Sequence, residues 1–390
     1  MKLRLLSAGE SHGPALVAIL DGMPAGLLLP VEVINKDLAR RQKGYGAGPR
    51  MKIESDQVRI LGGVMEGQTT GAPLALMIEN KDHKKWQGKA IPPYQMPRPG
   101  HADLVGVVKY GYNDLRQSLE RASARETAAR VAGGAVCKHF LSQFGIQVGG
   151  YVASIGEVEG SFEDVPLSQR VELAEQNEVR CPDEAAAEEM VDRIREIIES
   201  KDTLGGVLEV FATGLPVGLG SFSQWDQRLE ARLTTAVMGV QAMKGVEFGN
   251  AFENTRLPGT QVHDAIRLDG ENLVRPTNRA GGTEGGVSNG NPILMRVAMK
   301  PIATTLTPQG SVDLVSGEEN DTQYERSDFC PVPRAVPILE AVVAFVLADA
   351  LLEKLGGDSL EELQPRFKSL RQAKLGDLNV DGQEHIWWPE

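Results

Sequence analysis

The chain has 390 residues, 41% hydrophobic and 24% charged, and this composition is typical of a folded protein with a large core. A formal net charge of −12 disfavours binding to nucleic acid, and three scattered cysteines without nearby histidine pairs argue against a disulfide framework or a zinc site. No apolar stretch approaches the roughly 18 residues of a membrane span and no signal peptide is recognisable, so we expect a cytoplasmic protein without metal, nucleic-acid or membrane partners.

Five segments have helical sequence patterns. The first begins after a proline and stops before a glycine, which are the usual residues at helix ends. The second is rich in alanine and other small residues, so other backbones can approach it closely, and we place it centrally. The third is amphipathic and is predicted to be peripheral, whereas the last is apolar almost all round and is predicted to be buried. In chain order these helices are predicted over residues 31–43, 113–143, 183–199, 228–243 and 334–354.

Two stretches without regular periodicity are predicted to be long loops, over residues 79–102 and 306–331. Loops of this length in a compact protein usually have a function of their own. After residue 356 the chain becomes polar and charged. We therefore interpret residues 1–356 as a single domain and residues 357–390 as a polar C-terminal tail.

A glycine pattern occurs twice in the chain. Residues 62–74 read GGVMEGQTTGAPL and residues 281–293 read GGTEGGVSNGNPI, so four glycines and one proline recur at the same spacing. Likewise, GMPAGL at 22–27 resembles GLPVGL at 214–219, and each follows an apolar run. The repeated order of strand, turn, helix, glycine turn and strand favours an internal duplication. The alternative is two unrelated hairpin turns that both need positive φ.

The duplication predicts repeat halves of about 1–150 and 203–356. Their two motifs start 40 residues apart in the first half and 67 residues apart in the second. An insert is therefore predicted in the second half, around residues 246–275, where glycine, asparagine and charged residues are frequent.

Two of the six histidines have surroundings that favour a function. His12 lies beside a glycine in AGESHG, and His101 follows the tight turn predicted at Pro99 and Gly100. Histidine titrates near neutral pH, and neighbouring glycines leave backbone room for a ligand. For either histidine alone, a packed structural role is an equally good interpretation. His83, in KDHKKW, is interpreted as part of a solvated run of charges.

Arginines cluster in this otherwise acidic chain. Arg121 and Arg125 are four residues apart, which places them on one helix face. Clusters of this kind either pair with carboxylates or bind a polyanion, and for Arg121 the alternative is an ion pair with Glu120 or Glu126. Further arginines at glycine-rich or irregular positions are Arg40, Arg41, Arg50, Arg98, Arg326 and Arg334. The usual NAD, ATP and metallohydrolase motifs are absent from the sequence.

Over nearly its whole length the sequence resembles the chorismate synthases. The resemblance depends on several long motifs in a fixed order rather than on any one of them. These motifs are GESHG (9–13), RRQKGYG (40–46), RMKIE (50–54), RPGHAD (98–103), RASARETAARVAGGAV (121–136), GVEFG (245–249), GGTEGGVSNGNPI (281–293), KPIATT (300–305) and RSDFCPVPRAVP (326–337).

The resemblance implies an α+β fold in which antiparallel sheets sandwich a helical core, built from a duplicated unit and usually assembled as a homotetramer. It implies anti-1,4-elimination of phosphate from 5-enolpyruvylshikimate 3-phosphate to give chorismate, the last common step of aromatic amino-acid biosynthesis. The family needs reduced FMN, although the reaction has no net redox change. A multiply charged anionic substrate is consistent with arginine clusters in an acidic protein.

The resemblance also implies roles for individual residues. His12 resembles the histidine at the substrate phosphate, His101 the histidine near the flavin ring, and Asp328 the aspartate near flavin N5, a candidate for proton transfer. Substrate contacts are expected from Ser11, Arg41, Arg50, Arg125 and Arg334. Flavin contacts are expected from Arg121, Ala122, Ser123, Gln241, Ala242, Gly285, Lys300, Pro301, Ile302, Ala303, Thr304 and Arg326.

Two positions refine this interpretation. Gly285 lies in the second glycine motif, where the first motif has Glu66, so we predict that only the second copy lines the flavin. On that hypothesis Gly285→Glu abolishes FMN binding and Glu66→Gly does not.

The family usually has GYGRG, whereas this chain has Ala47 in place of the arginine associated with NADPH or substrate-anion contact. NADPH is therefore expected to matter only if the chain reduces its own flavin, and a separate flavin reductase is the other source.

Three other functions stay open at the level of sequence. They are a flavin-dependent oxidoreductase with a net-reduced product, a non-catalytic anion-binding module, and a bifunctional enzyme that also reduces FMN with NADPH. The joint presence of His12, His101 and Asp328 argues against the second, while Ala47 and the lack of a Rossmann motif argue against the third. Turnover without net flavin oxidation would exclude the first.

Overall fold

In the computed structural model, the described residues are 3–47, 55–162, 164–322, 324–325 and 327–388. The strands of this part of the chain are β1 Arg4–Ala8, β2 Ala15–Asp21, β3 Val58–Gly62, β4 Val64–Met65, β5 Gln68–Thr69, β6 Leu74–Glu79, β7 Gln147–Ile155, β8 Val158–Glu159, β9 Gly206–Thr213, β10 Met243–Phe248, β11 Arg267–Asp269, β12 Asn272–Val274, β13 Thr283–Glu284, β14 Val287–Ser288, β15 Ile293–Met299, β16 Gly310–Val312 and β17 Glu319–Asp321. The α-helices are α1 Val31–Gln42, α2 Asp103–Tyr110, α3 Arg116–Ala122, α4 Thr127–Ser142, α5 Leu167–Ala174, α6 Glu184–Ser200, α7 Leu229–Met238, α8 Ala251–Asn254, α9 Gly259–Val262, α10 Val332–Leu355 and α11 Leu360–Lys368.

Two antiparallel sheets form the main architecture. The first has the strand order β1-β2-β6-β3 and the second has the order β10-β15-β9-β7-β8. Helix α4 packs against the first sheet, α10 packs against the second, and the two helices pack against each other. The fold is therefore α+β, with helices between antiparallel sheets, as the sequence analysis expected.

The central helix pair shows why α4 is rich in small residues. A Cβ atom added to Gly134 would come within 2.3 Å of the Cβ atom of Ala341 on α10, so only glycine permits this approach. Helix α10 has the length and hydropathy of a membrane span, but 94% of its most apolar 18-residue window is buried inside the protein. Its uniform apolarity is that of a core helix enclosed on all sides.

Three of the predicted helices, α1, α6 and α10, agree closely with the structure. The helix predicted over 113–143 is interrupted, because Ser123 is extended and its side chain accepts a hydrogen bond from the backbone N–H of Arg125. The chain then forms one 3-10 turn before α4. The helix predicted over 228–243 ends at Met238, and residues from Met243 onward form β10.

The irregular segments contain more structure than the sequence analysis assigned to them. A 3-10 helix at Lys81–Lys85 lies in the first predicted loop, and the β16–β17 hairpin lies in the second. The C-terminal tail forms α11, which is capped by the Ser359 side chain. Residues on either side of that cap exchange backbone hydrogen bonds of 2.9 Å with Ala25, so the start of the tail is held against the GMPAGL segment at 22–27.

The two sheets have matching internal order. In the first sheet, β6, the strand at the end of the first glycine motif, lies between β2 and β3. In the second sheet, β15, the strand at the end of the second glycine motif, lies between β9 and β10 in the same way. The glycine motifs form two equivalent hairpins, β4–β5 and β13–β14. The segment between Gly249 and Gly281 begins and ends at two glycines that lie side by side, since a Cβ atom on Gly281 would lie only 2.3 Å from the Gly249 nitrogen.

Candidate active site

A cavity of about 700 Å³ lies where loops from both halves of the chain meet. His12 and Ser11 reach it from the loop after β1, Arg41 from the end of α1, and Arg334 from the start of α10. Its other lining residues are Trp86 and members of the segments 98–102, 119–125, 238–244, 299–304 and 327–331, together with Glu325. The volume falls within the range of small-molecule sites in proteins.

His12 is held by a carboxylate on its Nδ1 side. Glu120 Oε1 lies 2.7 Å from Nδ1, and the other oxygen accepts a 2.8 Å hydrogen bond from the His12 backbone N–H. Burial by itself raises the pKa of Glu120, but the hydrogen bonds from His12 outweigh it and lower that pKa. The Trp86 ring packs on the imidazole with centroids 4.2 Å apart. Because Nδ1 is engaged, Nε2 is the nitrogen available to a ligand.

His83, interpreted from the sequence as solvated, has a supporting role instead. Its Nδ1 lies 2.9 Å from the carbonyl oxygen of His12. The run KDHKKW forms a 3-10 helix that places His83 beneath the His12 loop and Trp86 at the cavity wall. Neither contact was predicted from the sequence, because a run of charged residues is usually solvated.

His101 belongs to a second buried network, with Asp103 at its centre. Asp103 is fully buried and accepts from His101 Nδ1 and, in a bidentate arrangement, from Arg98 at 2.8 and 3.0 Å. Burial alone would raise the pKa of Asp103, but hydrogen bonds from His101 and Arg98 hold it well below its usual range. Arg98 also donates to Thr304 Oγ1 at 2.9 Å, and Lys300 donates to the Gly100 carbonyl at 2.8 Å.

Three arginines line one end of the cavity. Arg125 binds both oxygens of the buried Asp56 at 2.7 and 2.8 Å, and Arg41 donates to the Ala124 carbonyl at 2.8 Å. The Arg334 Nε–H donates to the Arg41 carbonyl at 3.0 Å. Burial and, next, the charge of Arg334 lower the pKa of Arg41. These guanidinium groups are crowded together beyond what their carboxylate partners neutralise, which is the electrostatic condition for binding a polyanion.

Asp328 lies beside the arginines of the cavity. It forms an ion pair with Arg334 and lines the same cavity as both histidines. The three residues with predicted catalytic roles, His12, His101 and Asp328, therefore share one basic hollow.

Most of the other predicted residues line this cavity as well. For the substrate these are Ser11, Arg41, Arg125 and Arg334, and for the flavin they are Ala122, Ser123, Gln241, Ala242, Lys300, Ile302, Ala303 and Thr304. Arg50 and Arg326 lie outside the described residues.

Three predicted flavin residues do not line the cavity, namely Arg121, Pro301 and Gly285. Arg121 instead donates to the Ser7 carbonyl and hydroxyl at 2.9 Å. Gly285 is exposed at the tip of the β13–β14 hairpin, and a Cβ atom there would meet nothing within 4 Å. Glu66 occupies the equivalent tip, also with a positive φ, of 51° against 59°. Neither turn tip lines the cavity of the described chain, so the structure gives no support to the prediction that only the second glycine motif contacts the flavin.

Several residues of the site were not assigned from the sequence. The carboxylates of Glu120, Asp56 and Asp103 each bind a histidine or an arginine of the site. The Trp86 ring forms part of the cavity wall. Only Asp103 has a local signal, two residues after His101. Glu120 meets His12 across 108 residues of sequence and Asp56 meets Arg125 across 69, so only the tertiary fold brings these pairs together.

Two imidazoles, a carboxylate and several arginines around one cavity are the kinds of group with which an enzyme binds a small anionic molecule and moves protons on it. The family model for chorismate synthase matches residues 3–352, and the chain belongs to the chorismate synthase family. Members of this family are lyases of the shikimate pathway that work with a flavin, and the chain is a lyase of that pathway.

Similar proteins agree over almost the whole chain. Chorismate synthase from Chlorobium luteolum is 50% identical over 389 residues, covering 95% of this chain and 98% of the relative. Chorismate synthase from Aquifex aeolicus is 52% identical over 384 residues, with 94% and 96% coverage. A crystal structure of chorismate synthase superposes with a TM-score of 0.77 at 46% identity, covering 94% of this chain and 97% of that one.

Proposed function

We propose that the chain converts 5-enolpyruvylshikimate 3-phosphate to chorismate and phosphate by anti-1,4-elimination in the presence of reduced FMN. The observation that carries this proposal is the convergence of His12, His101 and Asp328 on a cavity lined by Arg41, Arg125 and Arg334. An elimination of phosphate requires a positive environment for the leaving group and a place for the departing ring proton.

The arginine end of the cavity is proposed to bind the substrate anion. Arg41, Arg125 and Arg334 are fixed by protein carbonyls and carboxylates, so they are oriented before the ligand arrives. Ser11 lies beside them, with its hydroxyl accepting from Ser123 at 3.1 Å. In the imidazolium form both ring nitrogens of His12 donate, and with Nδ1 bound to Glu120 the Nε2–H is free to donate to the departing phosphate oxygen.

The other end of the cavity fits a flat, polar ring system. The Gln241 side-chain oxygen is buried and has no hydrogen-bond partner among the described residues, whereas its nitrogen donates to Glu126 at 2.8 Å. Such an acceptor is costly unless a ligand donates to it, and a flavin ring has a suitable N–H group. Ala242, with a φ of 67°, and Lys300, Ile302, Ala303 and Thr304 would enclose the ring. When bound, reduced FMN supplies an electron-rich surface against the substrate ring.

Asp328 and His101 are proposed to hold and move the proton lost from the substrate. Asp328 is fixed by Arg334, and His101 is fixed by Asp103, so both groups are oriented towards the same space. His101 accepts or releases a proton at Nε2, because Nδ1 faces the Asp103 carboxylate.

An anaerobic assay tests the proposal directly. With photoreduced FMN and 5-enolpyruvylshikimate 3-phosphate, we expect chorismate and phosphate in equal amounts and no net flavin oxidation. His12→Ala and His101→Ala should each lower the rate about 100-fold or more, the usual contribution of a positioned acid or base. Stoichiometric flavin oxidation would identify a net oxidoreductase instead, and phosphate or substrate binding without turnover would identify a binding module.

Three further expectations belong to this proposal. With Ala47 at the usual arginine position, we propose that a separate flavin reductase supplies the reduced flavin, and that added NADPH alone gives no turnover. We also propose a homotetramer that acts in the cytoplasm. The exposed outer face of the first sheet, where Leu6 and Leu61 are 61% and 55% exposed, offers an apolar surface for a second copy.

We also infer that the two sheets derive from a duplicated unit. The support is the shared order of strands, the equivalent hairpins at the two glycine motifs and the insert that interrupts only the second. Expression of either half with the other as a separate chain tests this, because two units of one origin should reassemble into an active complex.

A further inference from the structure

Arg180 is a buried arginine outside the cavity, in the segment between α5 and α6. Only 3% of it is exposed, and its backbone has a φ of 55°. One terminal nitrogen donates to the Arg40 carbonyl at 2.6 Å, and the other donates to the carbonyls of Lys43 at 3.0 Å and Pro333 at 2.6 Å. One guanidinium group therefore binds three backbone oxygens from two distant parts of the chain.

Two of these oxygens belong to the residues immediately before two cavity arginines. Arg40 precedes Arg41 at the end of α1, and Pro333 precedes Arg334 in the first turn of α10. The same two arginines are also joined directly, since Arg334 Nε donates to the Arg41 carbonyl. Arg180 thus fixes both backbone segments from the side opposite the cavity.

The electrostatics of the site explain why such a fixed backbone is needed. Arg41 is buried beside Arg334 and Arg125, and burial together with these like charges lowers its pKa. Side chains that repel one another separate unless the backbones that carry them are held. Arg180 adds no positive charge to the cavity, because it does not line it and its Nε donates to Glu175 at 3.0 Å.

We propose that Arg180 is a positioning residue that sets the spacing of Arg41 and Arg334 for the substrate anion. This inference rests on the proposed function, in which those arginines bind 5-enolpyruvylshikimate 3-phosphate. Its planar fork donates to both segments at once, whereas a lysine ammonium at the end of a flexible stem has no such fixed geometry. Because the effect is on the anion site, binding of substrate should weaken while the flavin end stays intact.

The test compares Arg180→Lys and Arg180→Gly with Arg170→Met in the full-length protein. Arg170 is the control: it is partly buried and donates to the Val165 carbonyl at 2.7 Å and the Tyr151 hydroxyl at 2.6 Å, away from the cavity. For both Arg180 variants we expect KM, and the calorimetric Kd for substrate, to rise about tenfold or more. We expect kcat and the Kd for FMN to change less than about threefold.

Chemical rescue separates positioning from general damage to the fold. Glycine tolerates the positive φ at position 180, so Arg180→Gly leaves a space that added guanidinium ion can occupy. Restoration of a low KM by millimolar guanidinium, with unchanged thermal unfolding, would support the inference. An unchanged KM in folded Arg180→Lys, or the same rise in Arg170→Met, would overturn it. If wild-type protein binds the substrate but does not convert it, the proposed function fails while the binding comparison still decides the role of Arg180.

Discussion

His12 and Glu120 form a two-point contact, in which one carboxylate binds the ring Nδ1 at 2.7 Å and the backbone N–H of the same residue at 2.8 Å. The contact fixes both the position of the loop and the orientation of the imidazole. Since Trp86 packs on the ring face, rotation of the imidazole about its side-chain bonds is restricted on two sides. The histidine is therefore oriented by the protein before any ligand binds.

Glu120→Gln should weaken the two-point contact and remove its charge. The amide oxygen can still accept from one of the two donors, but the amide nitrogen then faces the other donor and the negative charge beside the ring is lost. We expect kcat to fall about tenfold or more while the KM for substrate changes little, measured in anaerobic steady-state assays. A loss no larger than that of an exposed control such as Glu199→Gln would show that the carboxylate only holds the loop.

Arg40 and Arg41 are adjacent, but replacement by methionine should affect mainly the stability of the fold at Arg40 and mainly substrate binding at Arg41. For Arg40, burial lowers the pKa, but the charge of buried Glu340 and its hydrogen bonds outweigh this and raise it. Arg40→Met leaves that carboxylate with Lys138 alone, and breaking a buried pair costs about 3–5 kcal/mol of unfolding free energy. The pKa of Arg41 is lowered by burial and by the charge of Arg334, so the folded protein disfavours the charged form of this side chain.

Arg41→Met should therefore cost much less stability than Arg40→Met and raise the KM for substrate far more. Urea unfolding and steady-state kinetics on the two variants measure both quantities in one experiment. Equal losses of stability would contradict the electrostatic interpretation of the arginine cluster, and an unchanged KM in Arg41→Met would remove that residue from the substrate site.

Local sequence patterns predicted the elements whose causes are local. Helices α1 and α6 follow from a proline or aspartate at their start and from periodic apolar residues, and the glycine motifs form hairpins because their positive φ angles need glycine. The interruption at Ser123 has a weak signal, since serine tolerates helices, and depends on the contacts its hydroxyl makes with Ser11 and the Arg125 N–H. Helix propensity, which depends on each residue type alone, does not account for those contacts.

The site divides in the same way. His12, His101 and the arginines were predicted from motifs, and Arg41, Arg125 and Arg334 line the same cavity as both histidines. Their partners were missed because Asp56, Glu120 and Arg180 act through single hydrogen-bonding groups contributed from distant segments. A lone carboxylate or arginine has no pattern in sequence, and its role depends entirely on the packing of α1, α3, α4 and α10 around the cavity.

Asp103→Asn should weaken the fold in a pH-dependent way. Asp103 has a lowered pKa in the folded state, so its stabilisation is present above the unfolded value of about 3.9 and is lost as the pH falls towards the folded value. We expect the variant to be less stable than wild type by about 3–5 kcal/mol at pH 7, because Arg98 then lacks its buried partner. The difference should stay constant down to about pH 5 and shrink below pH 4 in urea unfolding.

Gln241→Leu tests whether the flavin occupies the end of the cavity that holds the unpartnered amide oxygen. Leucine preserves much of the volume but removes the acceptor, so we expect the Kd for FMN to rise about tenfold and the KM for substrate to change little. Quenching of flavin fluorescence on titration measures the Kd, and Trp86 in the cavity wall provides a second signal. Gln241→Leu also removes the hydrogen bond to Glu126, so Glu126→Ala, which removes that acceptor, is the matched control. If both variants weaken FMN binding equally, the contact with Glu126 and not the free oxygen is what matters, and the flavin does not donate to Gln241.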